Sequence, residues 1–139
     1  MIEHYSDQRI ITAEPGEDVT LPCRPAENKN VLVVEWTRTD LGSDQFVLLY
    51  RNKTFSHEVQ SPSFKDRVDL KDVKNGDVSL VLKNLMTDDT GRYECRVDQG
   101  GHDCSEISIQ DTDLISTIDL RVEGLQLLSA LDGQTQTLQ

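Results

Sequence analysis

Between positions 19 and 97 the apolar residues recur mostly at every second position. Val19, Leu21 and Cys23 alternate with Asp18, Thr20 and Pro22, and Leu32, Val34 and Trp36 alternate with Val33, Glu35 and Thr37. Successive side chains of a strand point to opposite faces, so this period predicts half-buried β-strands rather than amphipathic helices. Short runs at 46–51, 67–73, 78–82, 91–97 and 115–122 predict further strands. Between them stand turn signals: Pro15-Gly16, positions 26–30, Leu41-Gly42-Ser43-Asp44, Asn75-Gly76-Asp77 and Gly100-Gly101. Many short strands spaced by turns define an all-β chain, a sandwich or a barrel.

Composition narrows this. With 139 residues, 36% of them hydrophobic and 28% charged, the chain fills one domain with a modest core. Its formal charge of −11 has the sign that phosphate backbones and anionic membrane surfaces repel, so nucleic acid is excluded as a partner. No apolar run approaches the roughly 20 residues that span a bilayer, and Met1-Ile2-Glu3-His4-Tyr5 lacks the basic start and apolar centre of a leader, so a soluble chain is expected. Positions 124–139 carry Leu125, Leu127, Leu128 and Leu131 ahead of a polar end. They read as a stalk, a linker or an artificial tail, with a short terminal helix as the alternative. Cys23, Cys95 and Cys104 are an odd number, so at most one bridge forms within the chain and one thiol is left over.

Three features coincide. Cys23 closes one alternating run, Trp36 sits inside the next, and Cys95 ends Asp89-Thr90-Gly91-Arg92-Tyr93-Glu94-Cys95, with Tyr93 two residues before it. This arrangement resembles an immunoglobulin domain. The resemblance implies a Cys23–Cys95 bridge between two sheets, packed on a buried Trp36, and a tyrosine corner at Tyr93. The stretch from Trp36 to Cys95 has room for the two extra strands of the variable type. Leu48-Leu49-Tyr50-Arg51-Asn52, Phe64-Lys65-Asp66-Arg67-Val68-Asp69-Leu70 and Gly76-Asp77-Val78-Ser79-Leu80-Val81-Leu82 are similar to the butyrophilin and myelin-oligodendrocyte-glycoprotein group. Val34-Glu35-Trp36 and Val47-Leu48-Leu49-Tyr50 also resemble the coxsackievirus and adenovirus receptor group.

The resemblance covers about 9–123. It implies a two-sheet antiparallel immunoglobulin variable-type sandwich with Greek-key connections over 1–123, and an ion pair between Arg67 and Asp89 at its base. A structural bridge in turn implies an oxidising, extracellular setting. One motif departs from the pattern: the Phe-Gly-x-Gly bulge of antigen-receptor domains is missing, which argues against a domain that pairs through it. The connection at 98–114 is longer than hairpin loops usually are. It carries Cys104, the acids Asp98, Asp103, Glu106, Asp111 and Asp113, and Ile107-x-Ile109. Either the flanking strands extend beyond the sandwich or the loop holds a small strand of its own.

Nothing in the sequence supplies a nucleophile with a base or paired acids in a cleft, so no catalytic residue, cofactor or small-molecule substrate is expected. His4, His57 and His102 fall in predicted loops or termini and read as solvated. His102-x-Cys104 offers two metal ligands where structural zinc takes four, and the loop acids lack the spacing and central Gly of a calcium loop, so no metal is expected. Asn52-Lys53-Thr54 is an N-glycosylation sequon at a predicted exposed turn. The leftover Cys104 is an idle thiol, an intermolecular bridge that makes a dimer, or a bridge to a cysteine elsewhere.

The residues expected to face outward from the front sheet (strands G, F, C and C′ in the family's lettering) follow by parity. They are Val33, Glu35 and Thr37; Val47, Leu49 and Arg51; Arg92, Glu94 and Arg96; and Thr117, Asp119 and Arg121. Val47 and Leu49 would form an apolar patch rimmed by charge, which suggests an interface. The expected binding set is Glu35, Thr37, Val47, Leu49, Arg51, Glu94, Arg96 and Asp119. The resemblance implies the ectodomain of a type I membrane protein on the extracellular side of the plasma membrane. It would be an immune receptor or ligand that binds another cell-surface protein through the front sheet. The alternative is a homophilic adhesion domain, binding a second copy of itself as a homodimer, which viruses could exploit for attachment. A third reading, from another class, is a secreted metal or ligand carrier using the long loop.

Overall fold

The structure is a computed structural model that describes residues 7–25, 31–42, 44–99 and 112–124. Its strands are β1 (Asp7–Ala13), β2 (Val19–Leu21), β3 (Val33–Arg38), β4 (Leu48–Arg51), β5 (Thr54–Phe55), β6 (Val68–Asp72), β7 (Asp77–Leu82), β8 (Gly91–Asp98) and β9 (Asp113–Val122). A six-stranded sheet runs β1-β9-β8-β3-β4-β5 and a three-stranded sheet runs β2-β7-β6. No α-helix occurs among the described residues.

Alternation builds the interior. On β8, Tyr93, Cys95 and Val97 are buried while Arg92, Glu94 and Arg96 reach solvent, and on β7 Val78, Leu80 and Leu82 are buried. A slip of one residue would exchange these sets and place the β8 charges in the core, so the register is strongly specified. Trp36 and Cys95 are directly opposed across β3 and β8. The bridge from Cys95 to Cys23 crosses to the chain leaving β2, with Cα atoms 6.5 Å apart and 72 residues between the two positions. Trp36 is fully buried, and its indole N–H donates to the Val78 carbonyl at 2.9 Å. That bond satisfies the one polar atom of the largest core side chain and ties the two sheets together.

The base of the sandwich is held by charge in a dry setting. Arg67 donates to both oxygens of Asp89, at 2.9 and 3.0 Å, and also to the carbonyls of Ser63, Lys83 and Asn84. Asp89 accepts in addition from the Met86 N–H, and its own carbonyl accepts from the Tyr93 hydroxyl at 2.6 Å. Burial pushes the Tyr93 phenol up to about 12, so it stays a donor. The guanidinium groups of Arg67 and Arg38 both lie over the Phe64 ring, at 5.6 and 5.4 Å from its centroid. Gly91 lies beside this cluster, and a Cβ there would stand 2.7 Å from the Arg38 Cδ, so any larger residue would push the Arg38 side chain aside.

Two features depart from the sequence reading. The six-stranded sheet is not wholly antiparallel, because β1 pairs with β9 in parallel, Asp7 opposite Ser116 through Ala13 opposite Val122. Parallel neighbours need a long crossover, and here the rest of the sandwich provides it. After β1 the chain leaves for the other sheet at Pro15-Gly16, where Gly16 takes φ +90° and its N–H bonds the Leu85 carbonyl at 2.8 Å. Second, Val47 does not face outward. It lies in a bend before β4, with its N–H on the Trp36 carbonyl, and both it and Leu48 join the core. The bend interrupts the alternation that the parity argument assumed. Ser79, between the inward-facing Val78 and Leu80 of β7, is also buried, and its hydroxyl accepts from the Cys23 N–H at 3.0 Å.

β8 runs to Asp98 and β9 starts at Asp113, with Arg96 opposite Leu114 and Val97 opposite Asp113 past a bulge that skips Ile115. Cys104, His4, His102, Ile107, Ile109, the expected turns at 26–30 and 100–101, and the tail lie outside the described residues.

Candidate functional site

The outer surface of the six-stranded sheet divides into a covered half and an open half. On the covered half, Glu35 of β3 stands opposite Leu49 of β4 on one side and Arg96 of β8 on the other. One pair along, Val33 stands between Arg51 and Asp98. The parity expected for these residues holds, but the exposure does not: Val33 is 0% exposed, Leu49 3% and Glu35 5%. Val33 and Leu49 are not part of the main core cluster. They form a second, small buried patch with Glu35, flanked by the half-buried Arg51 and Arg96, whose aliphatic stems can lie along apolar surface while their guanidinium groups reach water. Leu49 is therefore not an exposed apolar anchor.

Glu35 has the most unusual environment of the described residues. Its Oε2 is buried without a hydrogen-bond partner. Burial pushes its carboxyl up to about 7, against the opposing pull of Arg96 and then Arg51. Desolvation outweighs two nearby cations because neither offers Oε2 a bond. The Arg96 guanidinium instead reaches Glu94, at 3.4 Å on its own strand.

The open half is built by β1, β9 and β8. The register sets Ile10, Asp119 and Arg92 in one row and Gln8, Thr117 and Glu94 in the next. Arg92 and Asp119 form an ion pair at 2.9 Å, and Asp7 and Arg9 pair at the same distance on the edge strand. The neighbouring Arg92 guanidinium holds the Asp119 carboxyl below its ordinary value. Ile10 is 57% exposed in the middle of these charges. With Gln8, Arg9, Arg92, Thr117 and Asp119 it lines a shallow depression of about 390 Å³.

Of the residues expected at the binding face, Glu94, Arg96 and Asp119 lie on β8 and β9, and Thr37 pairs with Glu94. Arg51 lies at the far side, and Glu35 and Leu49 are covered. The sequence reading missed Gln8, Arg9 and Ile10. The signal available was weak, because β1 is exposed through most of its length and its apolar residues do not alternate. The described residues hold no group of three or more His, Cys, Asp and Glu able to bind a metal ion, and none of their helices is long and apolar enough to cross a membrane.

A bridged two-sheet sandwich with a buried tryptophan, a tyrosine corner and extra strands on one sheet defines a variable-type immunoglobulin domain. Residues 6–117 match the immunoglobulin V-set domain, and the chain belongs to that family. Among curated proteins it is 30% identical over 93 residues to V-set and immunoglobulin domain-containing protein 1 of Xenopus laevis, covering 63% of this chain and 28% of that protein. It is 31% identical over 94 residues to human butyrophilin subfamily 2 member A2, covering 65% and 18%. To myelin-oligodendrocyte glycoprotein of Pongo abelii it is 35% identical over 89 residues, covering 61% and 35%. The match thus spans about a third or less of each of these relatives.

Solved structures share the fold. A chain in the crystal structure of ICOS with ICOS-L and an anti-ICOS-L VNAR domain superposes with a TM-score of 0.68 at 22% identity, over 85% of this chain and 56% of that one. Bovine butyrophilin gives 0.63 at 24%, over 81% and 49%. A parallel homodimer structure of the voltage-gated sodium channel beta4 subunit ectodomain, described as explaining that protein's role in cell–cell adhesion, gives 0.57 at 21%, over 95% and 98%.

Proposed function

We propose that this V-set domain is the extracellular recognition module of a cell-surface protein of the butyrophilin-like kind. It carries out no catalysis, and it binds a protein partner through the outer surface of its six-stranded sheet. The observation that carries this reading is Ile10, an exposed apolar side chain in one row with Asp119 and Arg92 on a shallow, open surface. An apolar centre within a charged rim is the usual anatomy of a protein interface, and a wide depression suits a partner's side chains better than a small molecule. The similarity to butyrophilin and to myelin-oligodendrocyte glycoprotein supports the extracellular placement.

The reading moves the centre of the site away from Leu49. Multimers of the domain are applied to cells bearing candidate partners, and staining is compared for the parent, Ile10→Asp on the open half and Lys71→Glu on the other sheet. Loss with the first and retention with the second supports it; the reverse pattern moves the site to β2-β7-β6.

Self-association is the second reading. It draws on the mixed signs of Arg92, Glu94 and Asp119, which let one copy of the face complement another. Sedimentation equilibrium separates the two: a dimer lost on Ile10→Asp favours adhesion between like copies, and a monomer at all concentrations rejects it.

A further inference from the structure

We propose that Asn52 carries an N-linked glycan and that this sugar fences off the β5 edge of the six-stranded sheet, leaving the β1 side to the partner. The proposal rests on the extracellular placement above. Asn52-Lys53-Thr54 is the one such sequon in the sequence, and it occupies the whole turn between β4 and β5. Arg51 pairs with Thr54, so Asn52 and Lys53 form a two-residue hairpin loop. Both have positive φ, +57° and +63°, the pattern of the tight turn whose twist matches its flanking strands. Asparagine takes this conformation more readily than other side-chain-bearing residues, and the turn holds it at the tip of the hairpin. Asn52, Lys53 and Thr54 are all exposed, so a bulky substituent on the Asn52 amide meets solvent.

The position matters because β5 ends the sheet. Among the described residues no strand lies beside its outer edge, and an unpaired edge is a template for another chain. A branched sugar at the tip of β4 and β5 stands beside that edge and beside Arg51, at the opposite end of the sheet from Ile10. In the transfer step, the Asn52 amide nitrogen bonds to the anomeric carbon of a polyisoprenyl-diphosphate-linked oligosaccharide. The carbon–oxygen bond to diphosphate breaks, the polyisoprenyl diphosphate departs, and the amide nitrogen gives up one proton.

The test uses the full chain secreted from animal cells behind a cleavable leader, and needs no partner, so its outcome is independent of the binding face. Intact mass should fall on treatment with peptide N-glycosidase, with Asn52 converted to Asp. Asn52→Gln and Thr54→Ala should both be secreted without the sugar, and Thr54→Ser should keep it. Shielding is read on the neighbouring Lys53 amine. A small acetylating reagent should modify Lys53 in both parent and Thr54→Ala, whereas a bulky polyethylene glycol ester should modify it only in Thr54→Ala. Secreted, folded parent chain without sugar on Asn52 overturns the site; equal reaction of the bulky reagent with both proteins overturns the fence.

Discussion

The guanidinium of Arg67 lies in parallel against the carboxylate of Asp89, two bonds of 2.9 and 3.0 Å, with Asp89 only 2% exposed. Removing one member of a buried pair leaves the other charge unpaired and costs about 3–5 kcal/mol. Arg67→Ala is expected near that range, because the same side chain also satisfies the carbonyls of Ser63, Lys83 and Asn84. Arg67→Lys keeps the charge but loses the planar fork and should fall between. Urea unfolding checks both, and a loss below about 1 kcal/mol for Arg67→Ala would assign the pair the weight of a surface contact.

Glu35 makes stability depend on pH in an uncommon direction. Its carboxyl titrates near 7 in the folded chain and near 4.5 when unfolded, so between those values the folded state holds a proton that the unfolded state has released. The contribution of Glu35 to stability is therefore full below that window, falls as pH rises through it and levels off above about 7. The full contribution is about 3 kcal/mol. Glu35→Gln removes the charge at every pH, so it should stabilise the domain at pH 8, have little effect at pH 4.5, and flatten the curve between. Identical pH dependence in parent and Glu35→Gln would show that this carboxyl titrates normally.

Charges placed at 49 and at 10 should have opposite consequences. Leu49 is covered, so Leu49→Asp buries an unpaired carboxylate and should lower stability by several kcal/mol or prevent folding. Ile10 is exposed on an edge strand, and Ile10→Asp should stay within about 0.5 kcal/mol of the parent. Thermal unfolding of the two variants decides it; equal melting temperatures would contradict the covered patch.

Reduction should be costly. In the chain-entropy picture, a bridge spanning 72 residues contributes about 4 kcal/mol, a large share of the stability of a domain this size. Unfolding with and without a thiol reductant measures the difference, and non-reducing peptide mapping should recover Cys23 joined to Cys95. A fragment joining Cys95 to Cys104 would contradict the strand register.

Much of the sandwich is legible in the chain because its central strands separate two environments. Tyr93, Cys95 and Val97 face a dry interior and Arg92, Glu94 and Arg96 do not, and that contrast is written as alternation. Where the contrast vanishes, so does the signal. β1 is exposed over most of its length, and its partner β9 lies at the far end of the chain. Leu49 shows a different limit: parity says which side of the sheet a residue takes, but not whether something lies over it. Val47 shows a third, since a bend resets the count. The proposed binding surface is accordingly less legible than the fold, for Ile10 sits on the strand with the weakest pattern.

The parallel seating of β1 against β9 also bears on how the domain carries load. Tension arriving along the backbone past Val122 enters β9 at its end and acts along its axis. Its ladders to β1 and β8 run the length of the strand, so many hydrogen bonds strain together rather than opening one after another like a zip. A pull from that end meets its neighbours in shear, the strongest way to load a sheet. A pull on the exposed start of β1 away from the sheet would instead peel it bond by bond. The sandwich should thus resist traction along β9 more than traction that lifts β1, a mechanical polarity set by the strand that alternation did not reveal.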